Sequence, residues 1–293
     1  MINASDFIHP EDAAALEQLE NIPGFPALVK KVLSMGLEQL QYGINMASAV
    51  RLSPTQLPEL YNRLPPICAR LGIEEPEFYL QMDPQPNAWT FGDTKVFITI
   101  TSGLVDMMTD EELDAVIAHE CGHILCHHVL YHTIARYILS GVDALGILGA
   151  FTIPVQFAIL YWQRKSELSC DRAASIVTSP EVVASTMARL SGGPRSITSQ
   201  INLEEWARQA DQYDQIRNDG LWNKALQVYA VAGLNHPFSA VRVREILSWA
   251  QTEQYRQIRQ HYLEDTVHRR RCPHCGEPVE EGWAYCRKCG TAL

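Results

Sequence analysis

Basic residues are in short supply. The 293-residue chain sets 24 Lys and Arg against 34 Asp and Glu, a formal net charge of -10. That balance excludes a surface built mainly to hold a polyanion, so no nucleic-acid partner is expected. Cysteine is scarce as well: eight residues are too few for a disulfide-dense scaffold. The opening MINASDFIHPED places acids where a secretory signal needs a basic start and an apolar run, which predicts a cytoplasmic protein. Apolar residues are not lacking. At 46% of the chain, with 20% charged, they suffice for a sizeable core and exclude disorder over most of the length.

Residues 1 to 23 are polar and acidic, punctuated by Pro10 and Pro23. Apolar side chains then recur at helical spacing through Phe25, Leu28, Val29, Val32, Leu33, Leu37 and Leu40, the pattern of one amphipathic helix. A second helix is expected over 55–71, stopping at Gly72. Residues 1–72 therefore read as a helical region that packs on the remainder. Short β-leaning runs follow at Phe78 to Met82, Ala88 to Phe91 and, after a Gly92-Asp93 turn, 95–101, whose VFITIT is the strongest strand signal. They predict a small antiparallel sheet in a mostly helical α+β domain spanning 73–268.

Thr109-Asp110-Glu111-Glu112 supplies a helix start, with Glu112 in capping-box register and acids facing the macrodipole. Inside that helix lies His119-Glu120-Cys121-Gly122-His123, an HExxH motif. Positions i and i+4 share a helical face, so both imidazoles can converge on one ion while Glu120, on the adjoining flank, reaches water. Two neutral imidazoles and a carboxylate suit zinc, and a catalytic site leaves a fourth position open. A histidine ligand of the HExxHxxGxxH pattern is excluded, because position 126 is Cys and position 129 is Val. His127 stands about 6 Å further along the helix axis than His123, too far to share the ion; His127, His128 and His132 read as solvated or supporting residues. The better third ligand is Glu167, with Asp171 one turn on to accept the free N–H of a ligating imidazole and Arg172 to hold a carboxylate.

As a set, these motifs resemble the zinc metallopeptidases that include HtpX, the mitochondrial Oma-type proteases and the CaaX-processing endopeptidases. The likeness runs from about Phe78 to Ile246 and rests on Asn87-Ala88 before a strand, the HECGH helix, Glu167 with Asp171, and Asn235-His236-Pro237. It implies that His119, His123 and Glu167 bind zinc and that Glu120 is the catalytic acid/base. It further implies that the strand carrying Val96, Phe97, Ile98 and Thr99, near Asn87 and Ala88, pairs with an extended peptide. His236 then stabilises the oxyanion or occupies the open zinc position, unless it only caps the next helix. Arg242, matching a recurrent family arginine, braces Asp171 or the oxyanion.

From Ile138 to Trp162 the only formal charge is Asp143, long enough for a membrane span. One crossing would part His123 from Glu167, however, and two need about 40 residues. Gly146, Gly149 and Pro154 instead predict a helical hairpin over 136–165, where relatives of the HtpX type often cross a membrane. It is buried against the N-terminal amphipathic helix, dips into a membrane face, or meets a partner or second copy. After a long helix expected over 239–268, Cys272, Cys275, Cys286 and Cys289 form two CxxCG knuckles, a closed structural zinc ribbon over 269–293 suited to docking a protein partner. The expectation is a zinc endopeptidase with one catalytic and one structural ion, cytoplasmic or peripheral at a membrane. The competing reading is a chaperone-like adaptor that keeps the site but hydrolyses little.

Overall fold

In the computed structural model, residues 2–33, 36–139, 153–218, 220, 238–268, 272, 274–275, 279, 285–286 and 288–292 are described. The chain opens with α1 (Ala4–Phe7) and α2 (Pro10–Glu20). Pro10 starts α2, where its missing N–H costs nothing, and the His9 ring accepts from the Glu11 amide as a cap. The single helix expected over 25–40 is two, α3 (Phe25–Leu33) and α4 (Leu37–Ser48). They part next to Gly36, whose φ of 69° is left-handed backbone that glycine adopts freely. The helix expected over 55–71 is likewise α5 (Pro58–Tyr61) and α6 (Leu64–Leu71), with Pro in the first turn of each and Gly72 ending the second at φ 72°.

Four strands, β1 (Val50–Arg51), β2 (Glu77–Gln81), β3 (Ala88–Phe91) and β4 (Phe97–Thr101), lie in the order β1-β2-β4-β3. β3 and β4 form the antiparallel hairpin that the Gly92-Asp93 turn predicts. β2, however, pairs with β4 in parallel, Phe78 opposite Ile98, so the sheet is mixed where a wholly antiparallel one was expected. The reason is that β2 and β4 are not consecutive: the chain turns back through β3 before β4 runs alongside β2. This order also corrects the substrate strand. β4 is central, Phe97, Ile98 and Thr99 are fully buried, and the Val96 carbonyl accepts from the Glu77 amide. None of these four residues offers an edge to a peptide; the edge strand on the metal side is β3.

After α7 (Ser102–Met107) come α8 (Asp110–Leu125), α9 (Val129–Leu139), α10 (Ile153–Val177), α11 (Pro180–Gly192), α12 (Arg195–Thr198) and α13 (Leu203–Asn218). Then α14 (Ser239–Ala250) and α15 (Glu253–His268) replace the one long helix expected there. They break where the Thr252 hydroxyl caps the Tyr255 amide. α8 is the central rod, packed on α6, α10, α11 and β3. Its capping box forms as read, Thr109 and Glu112 bonding reciprocally, and Glu112 goes on to bind Ser185 and Arg189 of α11.

The main core joins α6, α8, α10, α11 and α14 to one face of the sheet, and Tyr79, Phe91 and Phe97 fill the other. A separate cluster sets Leu19 and Phe25 of the N-terminal helices against Ile134, Ile159 and Trp162, the stems of the expected hairpin. Each such aliphatic or phenyl side chain contributes about 1.5–3 kcal/mol on burial, so the stems are covered by the chain itself. The hairpin's tip lies outside the described residues. Among the described residues no helix is long and apolar enough to cross a membrane.

Candidate metal centre

The centre forms where α8 crosses α10, and a glycine sets how close they come. A Cβ on Gly122 would meet the Ala173 Cβ at 3.0 Å and the Cys170 Cα at 3.1 Å. With hydrogen there instead, α10 lies near enough for its carboxylates to reach the α8 histidines. Glu167 then stands between them, Oε2 3.4 Å from His119 Nε2 and Oε1 3.4 Å from His123 Nε2. All three side chains are buried.

The supports are as specific as the donors. Asp171 Oδ1 lies 3.0 Å from His119 Nδ1, so the far side of that ring is held by a carboxylate. Arg242 reaches in from α14, its Nε bonding Asp171 Oδ2 at 2.8 Å and its Nη1 lying 3.1 Å from Glu167 Oε2. One guanidinium thereby clamps both acids of α10. Burial alone would raise the pKa of Asp171, but Arg242 and His119 hold it below the usual carboxylate range. Burial pulls His119 down, yet Asp171 and Glu167 outweigh it and lift its pKa to about 9; for His123, burial wins and its pKa falls.

Arg172, expected to hold a carboxylate, points elsewhere. Its Nη1 donates to the Phe7 carbonyl and the guanidinium lies over Trp249, because residue 172 sits on a different face of α10 from 167 and 171. Glu120 has a partner that spacing did not reveal: Thr90 of β3 donates to its Oε2 at 2.7 Å. The other oxygen, Oε1, is buried with no hydrogen-bond partner. The only hint of Thr90 in the sequence is its place two residues beyond Ala88 on the strand bordering α8. Asn87 and Ala88 line a pocket beside His119 and Glu120, walled by Val116, Val183, Met187 and Leu190. His236 lies outside the described residues.

Among the described residues two triads around these histidines bring one donor atom each within 4.8 Å, His119 with His123 and Cys170, and His123 with His132 and Glu167. Cys170 Sγ lies 3.6 Å from His128 Nδ1. His132 spends Nε2 on Ser166 Oγ at 2.7 Å and Nδ1 on Gln163. Glu167 stands 3.4 Å from each of the two α8 imidazoles, about the separation of two donors around a tetrahedral zinc ion.

The sequence profile of peptidase family M48 matches residues 54–250, and that of a zinc-ribbon domain matches residues 271–293. The chain belongs to peptidase family M48. Among M48 relatives, it is 35% identical to the plastoglobule-localized metallopeptidase 48 of Arabidopsis thaliana over 264 residues, 88% of this chain and 76% of that protein. To a protease HtpX homologue of Sulfurovum it is 31% identical over 163 residues, 47% of this chain and 59% of that one. To another, of Tropheryma whipplei, it is 28% identical over 205 residues, 58% and 70% of the two chains. No solved structure matches it. Family membership makes this M48 chain a zinc metalloprotease acting on protein or peptide substrates. Its C-terminal segment is a zinc ribbon, where Cys272, Cys275, Cys286 and Cys289 bring their sulfurs within 4.8 Å.

Proposed function

We propose that the chain is an endopeptidase for extended or unfolded polypeptides, with His119, His123 and Glu167 holding a catalytic zinc and the four cysteines a structural one. Zinc, when bound, polarises the scissile carbonyl and makes water acidic enough to ionise near neutral pH. Glu120 takes that proton and returns it to the leaving amine. Thr90 occupies one oxygen of Glu120 and leaves Oε1 to do this work. Arg242 and Asp171 hold Glu167 and the His119 ring in place, which supports the carboxylate-bracing role of Arg242 over the oxyanion one. His236 keeps the two roles that the resemblance implies.

The peptide is placed along β3, the edge strand beside Glu120. Backbone pairing of that kind carries little side-chain information, so selectivity falls to the apolar pocket of Val116, Val183, Met187 and Leu190. A medium or large apolar residue next to the scissile bond is preferred. The ribbon docks a protein partner or substrate. Because the hairpin stems are covered by α2 and α3, no membrane contact is assigned to them.

The observation that carries the proposal is Glu167 standing 3.4 Å from both imidazoles. The intact Glu120 favours hydrolysis over the adaptor reading. The test is cleavage of an unfolded protein by wild type and Glu120→Gln. We expect chelator-sensitive cleavage that falls by at least about 10²–10⁴-fold in the variant, the scale of general acid–base catalysis. Equal, chelator-insensitive loss of substrate in both would remove the hydrolase reading.

A further inference from the structure

We propose that Asp12, on α2, is a positioning residue of the metal centre, acting through His128 on His123. The inference rests on the reading above that His123 binds zinc through Nε2. That leaves the proton of this ring on Nδ1, and Nδ1 lies 3.4 Å from Nδ1 of His128. For the contact to be attractive, His128 must offer a lone pair there and carry its own proton on Nε2. Nε2 is buried without an aligned hydrogen-bond partner and lies 3.0 Å from Oδ2 of Asp12, an ion-pair distance. A carboxylate accepts but cannot donate. Its charge therefore favours the one His128 tautomer that accepts from His123, a long-range counterpart of the direct bond between Asp171 and the His119 ring.

The arrangement has no solvated alternative, since Asp12 and His128 are both wholly buried. Ser169 donates to the same oxygen of Asp12 and accepts from the His9 amide, which pins the start of α2 over α10. Burial would raise the pKa of Asp12, but His128 and Ser169 outweigh it and keep the group ionised. Cys170 Sγ, 3.6 Å from His128 Nδ1, is a weaker second donor to that lone pair and leaves the tautomer unchanged. Asp12 lies outside residues 54–250, the span that matches the family profile. The N-terminal region thus completes a site whose ligands all lie within that span.

The experiment uses the full chain with Asp12→Leu, which removes the acceptor, and Asp12→Asn, which keeps an oxygen for the His128 N–H but removes the charge. Zinc affinity is read by competition with a graded chelator, the catalytic and ribbon ions being told apart by cobalt substitution, since only the ribbon gives sulfur-to-metal bands. Asp12→Leu is expected to weaken the catalytic site about 10–100-fold, the usual cost of losing an outer partner of a ligand. Asp12→Asn should weaken it less, and the ribbon should not change. Ring ¹⁵N spectra of the zinc-free wild type should place the His128 proton on Nε2, a readout that needs no variant to fold. Wild-type zinc affinity in Asp12→Leu with only a lower unfolding temperature, or a His128 protonated on Nδ1, would overturn the relay. Failure of the protease reading looks different: the wild type binds zinc at this site and cleaves nothing.

Discussion

The proposed histidine site and the cysteine site of this chain are built on opposite principles. At the α8/α10 crossing the donors are held before any ion arrives: Gly122 sets the helix spacing, Arg242 clamps two acids, and a carboxylate stands behind the His119 ring. In the ribbon Cys272, Cys275 and Cys286 share a cluster with one other described apolar residue, Val279, and the described residues add one isolated bridge, Tyr285 to Ala292. A segment so small cannot bury enough surface to fold by itself. The first site uses the fold to shape the metal's surroundings; the second uses the metal to make the fold.

Chelation should separate the two most sharply. Removing both ions forfeits most of the ribbon's folding free energy, about 10–16 kcal/mol in small zinc modules. Amide exchange in residues 272–292 should then become unprotected while α8 and α10 keep their protection; equal loss in both regions would erase the distinction. Next in size is the buried pair that ties α8 to α11. Arg189→Met leaves Glu112 unpaired and should cost about 3–5 kcal/mol in denaturant unfolding with the ribbon unaffected.

The same pair predicts acid sensitivity. Burial raises the pKa of Glu112, but Arg189, Ser185 and the Thr109 amide outweigh that and leave it below its ordinary value. A depressed carboxyl contributes fully above its unfolded pKa and loses its contribution as pH falls through the folded value. Unfolding followed from neutral to acid pH should therefore show wild type losing stability that Arg189→Met has already lost. The smallest effect is expected from Gly122→Ala, about 1–3 kcal/mol for overpacking. It should also weaken zinc at the histidine site, since the added methyl pushes α10 and Glu167 away; unchanged affinity would mean that helix spacing does not govern the donors.

What the sequence made legible was local. The Thr109 cap, the shared face of His119 and His123, and the pairing of Glu167 with Asp171 on one face follow from helical spacing and need no knowledge of the tertiary fold. The cysteine knuckles are equally local. Sheet order is not: VFITIT, which the family resemblance sets beside the substrate, lies in the centre of the sheet. Strand propensity reports burial, and a central strand is the more buried. Arg172 and Arg242 could not be ranked because either reaches a carboxylate on paper; only the arrival of α14 decides. Thr90 and Asp12 are single polar residues far along the chain from what they support, and no periodicity marks them.

The proposed catalytic site needs three side chains, His119, His123 and Glu167, to close on one zinc ion. Anomalous diffraction at the zinc edge tests it most directly. Two peaks are expected, one among the four ribbon sulfurs and one about 2.0–2.2 Å from His119 Nε2, His123 Nε2 and a Glu167 oxygen. A peak bonded instead to Cys170 Sγ, or to His132 in place of His119, would contradict it.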